Sequence, residues 1–241
     1  MKVFLAGATG VIGRRLVFLL REAGHDVIGT TRSQSKIETL RTLGAEPLVL
    51  DVYDASALTR AVVAAKPDVL VHQLTDLPQS PDPDAIKASL DANARLRIEG
   101  TRNLVAAMQT GGVRRIVAQS IAFVYAPGPR PFAEDHPLDL SPDSPMWRTA
   151  QGVAALEQAV TQTPGIDGIV LRYGSLYGPG TWTETPKGPA PLHVDVAAKV
   201  AQLAVTQGPP GIYNVAEDDG TVSSEKAVRA FGFDPAFRIR A

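Results

Sequence analysis

Two hydrophobic rhythms alternate along the chain. Short, nearly continuous apolar runs occur at Val3–Ala6, Val27–Thr31, Pro47–Leu50, Val69–His72, Ile116–Gln119 and Gly168–Arg172. Between them lie longer stretches whose apolar positions recur every three or four residues: Val11–Ala23, Lys36–Leu43, Ala55–Ala65, Ala85–Thr110 and Thr149–Gln162. The first pattern belongs to strands buried on both faces, the second to amphipathic helices. Strictly alternating, they predict an α/β fold in which a doubly wound parallel sheet is covered on both sides through right-handed crossovers. Gly100, inside Ala85–Thr110, argues against one unbroken helix there. A single unit over residues 1–241 is expected, with residues from about 174 to 241 forming a small C-terminal, substrate-side portion.

Two segments break the rhythm. Pro127–Pro145 holds six prolines and Pro179–Pro191 holds four. Proline fixes φ and removes a donor, so neither segment is predicted to be regular structure. Both follow predicted strands, and ligands of open α/β sheets bind beyond the strands' carboxyl ends. Both are therefore candidate pocket walls.

The glycine-rich turn gives the first chemistry. G-A-T-G-V-I-G-R, residues 7–14, leaves the first strand and enters the first helix. Gly7 suits a tight turn, Gly10 a close backbone approach, and Gly13 packing of helix on strand. Gly7, Thr9, Gly10, Val11, Ile12 and Gly13 thus make a Rossmann-type loop and first helical turn whose free N–H groups suit a pyrophosphate. About 20 residues on, where an NAD site carries a carboxylate for the ribose 2′-OH, stands Thr31, followed by Arg32 and Ser33 with Lys36 nearby. Guanidinium and ammonium groups suit a 2′-phosphate, so NADP is expected in preference to NAD. Arg14 adds charge at the start of the first helix.

Composition narrows the remaining classes. The net charge of -1 gives no basic surface for nucleic acid or an anionic membrane. The absence of cysteine removes disulfides, thiol catalysis and zinc–thiolate sites, and fits a reducing cytoplasm. No apolar run reaches the roughly 20 residues needed to span a bilayer, and the N-terminal run does not have the pattern of a signal peptide. His25, His72 and His193 show no paired metal-ligand spacing, so no metal is expected. No G-x-S-x-G elbow is present, which disfavours a hydrolase.

With these residues in place, the chain resembles the short-chain dehydrogenase/reductase superfamily, and the G-x-x-G-x-x-G spacing resembles its extended, NAD(P)-dependent epimerase/dehydratase-like branch. Leu50-Asp51-Val52 is similar to the segment that contacts adenine, which implies Asp51 at the amino group and Val52 beside it. Val69–Thr75 resembles the fourth strand and its end, which implies Gln73 and Leu74 near the cofactor riboses. Gly100-Thr101-Arg102-Asn103-Leu104, Leu171–Gly180, His193–Ala197 and Ile212–Val215 resemble further family motifs.

The same resemblance exposes a departure. The family implies a serine or threonine after the fifth strand and Tyr-x-x-x-Lys on the next helix, where the tyrosine exchanges a proton with the substrate and the lysine lowers its pKa. Here Ile121 stands at the hydroxyl position, with Ser120 one residue early. Thr149 and Val153 stand at the tyrosine and lysine positions, and Arg97 where members often place asparagine. Candidate replacements are Ser120, Tyr125 and Tyr173, on segments expected to face the cleft; Tyr173 also suits packing against the nicotinamide. Tyr177 lies on such a segment too, and His136 is a candidate loop acid.

Two functions remain open. One is an NADP-dependent oxidoreductase of a small, largely apolar carbonyl or enone-like substrate. The other is a non-catalytic NADP(H)-binding redox sensor. A sugar-nucleotide epimerase or dehydratase is disfavoured, because only Thr181–Leu192 separate the G-P-G turn from the H-V-D segment. Superfamily members often pair their fourth and fifth helices across a two-fold axis, which implies a homodimer; Leu96, Leu104 and Met108 fall at helical spacing, as do Ala155, Ala159 and Gln162, with some of each face covering the sheet instead.

Overall fold

The computed structural model describes residues 1–78 and 80–239. Seven parallel strands, β1 (Lys2–Ala6), β2 (Asp26–Thr31), β3 (Glu46–Val49), β4 (Val69–His72), β5 (Arg115–Ile121), β6 (Asp167–Tyr173) and β9 (Gly211–Val215), form one sheet in the order β3-β2-β1-β4-β5-β6-β9. β7 (Ser175–Tyr177) and β8 (Pro191–His193) make a separate two-stranded pair. The helices are α1 (Val11–Glu22), α2 (Ile37–Thr42), α3 (Ala55–Ala65), α4 (Pro83–Arg95), α5 (Thr101–Gly111), α6 (Trp147–Thr161), α7 (Val194–Ala204) and α8 (Glu225–Phe231).

β1 shows why its run is continuously apolar. Val3 and Leu5 face one core layer with Leu16 and Val17 of α1 and Val200 of α7. Phe4 and Ala6 face the other, with Leu58 and Val62 of α3, Leu104 of α5 and Leu156 of α6. Successive strand side chains point to opposite faces, and both faces are covered.

The predicted strands are present, with boundary shifts of a residue or two at several ends. The long helical stretch is divided. α4 is capped by Asp82, whose Oδ1 accepts from the Ala85 N–H at 2.8 Å, and Pro83 opens it. A π-helical turn at Leu96–Gly100 joins α4 to α5. A Cβ on Gly100 would meet Val52 at 3.3 Å, so the glycine lets this turn sit against the segment after β3. The C-terminal portion resembles family motifs and has no element predicted from periodicity; β9 there is the seventh strand of the main sheet, five residues long with only its last three buried.

The dimer-face expectation is corrected in part. Leu96, Leu104 and Met108 are buried in the chain's own core, covering the sheet, and offer nothing to a partner. Ala155 and Ala159 are half-buried and Gln162 is exposed.

Candidate functional site

The strand order reverses between β1 and β4, and the crevice opens beyond the carboxyl ends at that reversal. A cleft of about 1310 Å³ occupies it. Of the residues singled out from sequence, Gly7, Thr9, Gly10, Val11, Thr31, Arg32, Ser33, Lys36, Asp51, Val52, Gln73, Leu74, Ser120 and Tyr173 line the cleft. Ile12 and Gly13 do not. The Ile12 side chain packs into the core, and Gly13 lies against the turn below it.

The glycine turn divides its work as expected from steric grounds. Gly7 has φ +91°, and a Cβ there would lie 2.6 Å from the Gln73 carbonyl oxygen. A Cβ on Gly13 would lie 2.1 Å from the Gly7 carbonyl oxygen. Both glycines are required by the protein's own backbone. Gly10 is different: a Cβ there would meet only the Gly7 oxygen, at 3.4 Å, and the rest of its surroundings is open cleft. The first turn of α1 carries no acidic residue and no side-chain cap. Its leading N–H groups and positive dipole end therefore face the cleft without an internal anion, and the cradle fits a pyrophosphate.

At the β2 end, the Ser33 N–H donates to Thr31 Oγ1 at 3.1 Å, and the Ser33 and Ser35 hydroxyls are 2.7 Å apart. Arg32 is exposed and reaches across to Asp76 at 3.1 Å. Lys36 stands exposed in a 3-10 turn. Asp51 Oδ1 accepts from the Tyr53 N–H at 2.9 Å, and the Arg95 guanidinium lies 4.2 Å from the Tyr53 ring centroid.

At the β4 end, His72 is buried. Its Nδ1 accepts from the Leu74 N–H at 3.2 Å, which leaves Nε2 to donate to Thr101 Oγ1 at 3.1 Å. Burial, aided by the Arg97 charge, lowers its pKa to about 4, so it is neutral. It fixes the turn that presents Gln73 and Leu74.

The three candidate catalytic groups are all engaged in the scaffold. Ser120 donates to Glu157 Oε1 at 3.2 Å. Tyr173 donates to the Ala197 carbonyl oxygen at 3.2 Å, tying β6 to α7, and burial pushes its pKa up. Tyr125 does not line the cleft. Its hydroxyl donates to Asn214 Oδ1 at 2.6 Å and accepts from Arg172 Nη1 at 2.7 Å, while its ring packs on Phe132. Burial raises its pKa although the Arg172 charge opposes this. The expectation that Tyr125 faces the cofactor is therefore corrected: β9 and the proline-rich loop draw the ring away.

Thr149 and Val153, at the positions where the family implies tyrosine and lysine, are buried and absent from the cleft lining. Val153 packs with Val124 and Ala150. The two proline-rich loops part company. No residue of Pro127–Pro145 lines the cleft; Phe132 packs instead with Ala190, Ala216 and Val222. His136 Nε2 lies 3.0 Å from the Ala126 carbonyl oxygen, so it is held within that loop. Pro179–Pro191 does form a wall, through Gly180, Thr181, Trp182, Thr183 and Lys187. Trp182 donates from Nε1 to the Pro78 carbonyl oxygen at 3.1 Å and joins this wall to the segment after β4. Sequence reasoning missed Trp182, and its place inside a proline-rich loop beyond a strand end was the available signal. Tyr177 donates to Glu217 Oε1 at 2.7 Å.

Fold and cleft together define a doubly wound dinucleotide-binding protein. Residues 3–221 match the NAD dependent epimerase/dehydratase family, and the chain belongs to that family. It is 41% identical over 242 residues to a 3-diazoavenalumate denitrifying reductase of a Streptomyces species, covering 91% of this chain and 77% of that one. It is 29% identical over 186 residues to a 4-hydroxy-2-methyl-3-oxo-4-farnesyl-3,4-dihydroquinoline-1-oxide ketoreductase of Stigmatella aurantiaca, covering 74% of this chain and 51% of the relative. Among solved structures, it matches a UDP-glucose 4-epimerase of Thermotoga maritima with a TM-score of 0.79 at 17% identity, covering 99% of this chain and 94% of that one. The cofactor class is a nicotinamide dinucleotide, and oxidoreductases are among the relatives. Among the described residues, no helix is long and apolar enough to cross a membrane.

Proposed function

We propose that the protein is an NADPH-dependent reductase that delivers hydride to a small, largely apolar substrate carrying its own strong electrophile. The observation that carries this is the unequal chemistry of the cleft. Its cofactor half offers a phosphate cradle, with Arg14, Arg32, Ser33 and Lys36 around it. No histidine lines the cleft among the described residues, and its only lining carboxylates there are Asp51 and Asp76, the latter paired with Arg32. Among the described residues that line the cleft, none offers an imidazole as general acid.

Arg32, Ser33 and Lys36 support NADP(H) over NAD(H). The Arg32–Asp76 pair is exposed and therefore weak, so a 2′-phosphate competes for the guanidinium with more charge and better geometry. Bound NADPH supplies hydride from its nicotinamide. Gly10 and the first turn of α1 hold the pyrophosphate, Gln73 and Leu74 flank the riboses, and Ile121, Phe123 and Trp182 exclude water from the acceptor.

An acceptor that is already electron-poor needs no protein acid. A diazonium terminus is the extreme case. Hydride adds to give R–N=NH, which loses N2 and leaves R–H, with the two electrons supplied by NADPH. The Streptomyces relative, a denitrifying reductase of a diazo compound, supports this class of acceptor. An enone or ketone would take its proton from water. The missing tyrosine and lysine also suit a non-catalytic NADP(H) sensor, the second reading, which predicts binding without turnover.

The test is NADPH oxidation against a panel of matched aromatic probes bearing a diazonium, an enone, a ketone or an aldehyde. The diazonium is expected to turn over fastest. Tight NADPH binding with no oxidation by any probe would favour the sensor.

A further inference from the structure

Four cations that line the cleft, Arg14, Lys36, Arg97 and Lys187, make no ion pair among the described residues; the other three are exposed, and Arg97 is half-buried. Arg97 sits on the π-helical turn between α4 and α5, half-buried, and lines the cleft. Among the described residues it makes no hydrogen bond and no ion pair. Burial lowers its pKa to about 10, and the carboxylate that opposes this is Glu157. Glu157 is already committed. Its Oε1 accepts from Arg172 Nε at 2.7 Å and from Ser120 at 3.2 Å, and its Oε2 accepts from Arg172 Nη2 at 2.7 Å. One negative charge thus faces two guanidinium groups, and Arg172 takes both oxygens. The local balance is one uncompensated positive charge in a half-buried setting, which an anionic ligand would offset.

The cofactor's phosphates do not supply it. The pyrophosphate cradle lies at β1 and α1, and Arg32 and Lys36 stand beyond β2. Arg97 lies on the opposite side of β1, where its charge is felt by His72 at the end of β4 and where Glu157 of α6 is its neighbour. This is the side of the cleft left for the substrate. Of the carboxylates lining the cleft, Asp51 stands at the end of β3 and Asp76 is held by Arg32, so neither neutralises Arg97.

We infer that Arg97 is the substrate-anchoring residue, and that the substrate is an organic anion, a small carboxylate seated on this guanidinium. The inference rests on the cleft being a cofactor-plus-substrate site. It adds that the apolar body of the substrate lies against Ile121, Phe123 and Trp182 while its carboxylate takes the forked donors of Arg97. The anchor fixes the acceptor's position without donating a proton. It thereby supplies orientation in a site where Thr149 and Val153 supply no chemistry.

The test reads binding, so it stands whether or not the protein reduces anything. Benzoate and the neutral benzamide are titrated into the NADP+-loaded protein by ligand-observed NMR. Wild type is expected to bind benzoate at least about tenfold more tightly, as expected for one charge-assisted contact. Arg97→Lys should keep part of that preference, and Arg97→Gln should abolish it with NADP+ affinity unchanged. Benzoate should raise the melting temperature of wild type and not that of Arg97→Gln. Equal affinity for the two probes in wild type would overturn the inference, and that result needs no variant to fold. A benzoate preference surviving in Arg97→Gln would overturn it as well. If no acceptor oxidises NADPH, the reductase reading fails alone, and the benzoate preference still decides the anion site.

Discussion

Arg172 on β6 grips Glu157 on α6 at both carboxylate oxygens, each 2.7 Å from a guanidinium nitrogen, with both side chains almost sealed from solvent. Ser120 of β5 and Tyr125 complete the network. Removing one partner of a buried pair leaves the other charge stranded, at a cost of about 3–5 kcal/mol. Glu157→Gln should destabilise by that order in urea unfolding. Ser120→Ala removes only one hydrogen bond to the same carboxylate and should cost about 1 kcal/mol, with kcat unchanged. A large fall in kcat for Ser120→Ala would return Ser120 to the chemistry.

Gly10, which faces the cleft, and Gly13, which packs on the turn, should respond differently to the same substitution. Gly10→Val places its branch in open cleft, where the pyrophosphate belongs. It should abolish NADPH binding in fluorescence titration and leave the far-UV circular dichroism spectrum intact. Gly13→Val drives its Cβ against the Gly7 carbonyl and should lower the melting temperature sharply. Retained NADPH binding in Gly10→Val would show that this glycine serves only the turn.

Arg32→Ala should weaken NADPH far more than NADH, by at least about tenfold, since a charged hydrogen bond is worth about 1.5–3 kcal/mol. Asp76→Asn releases Arg32 from its competitor and should tighten NADPH modestly. Equal losses for both cofactors in Arg32→Ala would remove the basis for NADP selectivity.

The cofactor half of the site was legible because its rules are local. Gly7, Gly10 and Gly13 fall within seven residues of one another at a recognisable spacing, and the absence of a carboxylate at Thr31 is a one-position observation. Most of the sheet was legible for the same reason, since each buried strand is an apolar run. The substrate half depends on contacts far apart in sequence. Tyr125 turns away because Asn214, 89 positions later, takes its hydroxyl. Phe132 belongs to a cluster with Ala190, Ala216 and Val222, which no local pattern announces. Arg97 was visible as a departure from the family pattern, but its lack of an anion follows only from Arg172 occupying Glu157.

His72 gives the protein a defined acid sensitivity. Its folded-state pKa is lowered to about 4 by burial, from an ordinary value of 6.5. The unfolded chain therefore binds the proton first, and the contribution of neutral His72 is complete above pH 6.5 and lost as the pH falls toward 4. The loss should approach about 3 kcal/mol. Urea unfolding between these limits should show wild type losing more stability than His72→Gln, which has no such proton. Parallel slopes for the two proteins would mean that His72 titrates alike in the folded and unfolded states, as an exposed imidazole would.

Hydride transfer in this cleft without a protein acid is open to single-turnover kinetics. Protein loaded with NADPH deuterated at the transferred position is mixed with an aromatic diazonium probe, with Gly10→Val as the control for uncatalysed reduction. Cofactor oxidation is expected well above the control, slowed by a primary isotope effect, with one N2 released per cofactor oxidised and a rate that Tyr173→Phe leaves within about threefold. Cofactor that stays bound and unoxidised would contradict it, as would a fall of roughly 100-fold or more in Tyr173→Phe, which would make that phenol the acid.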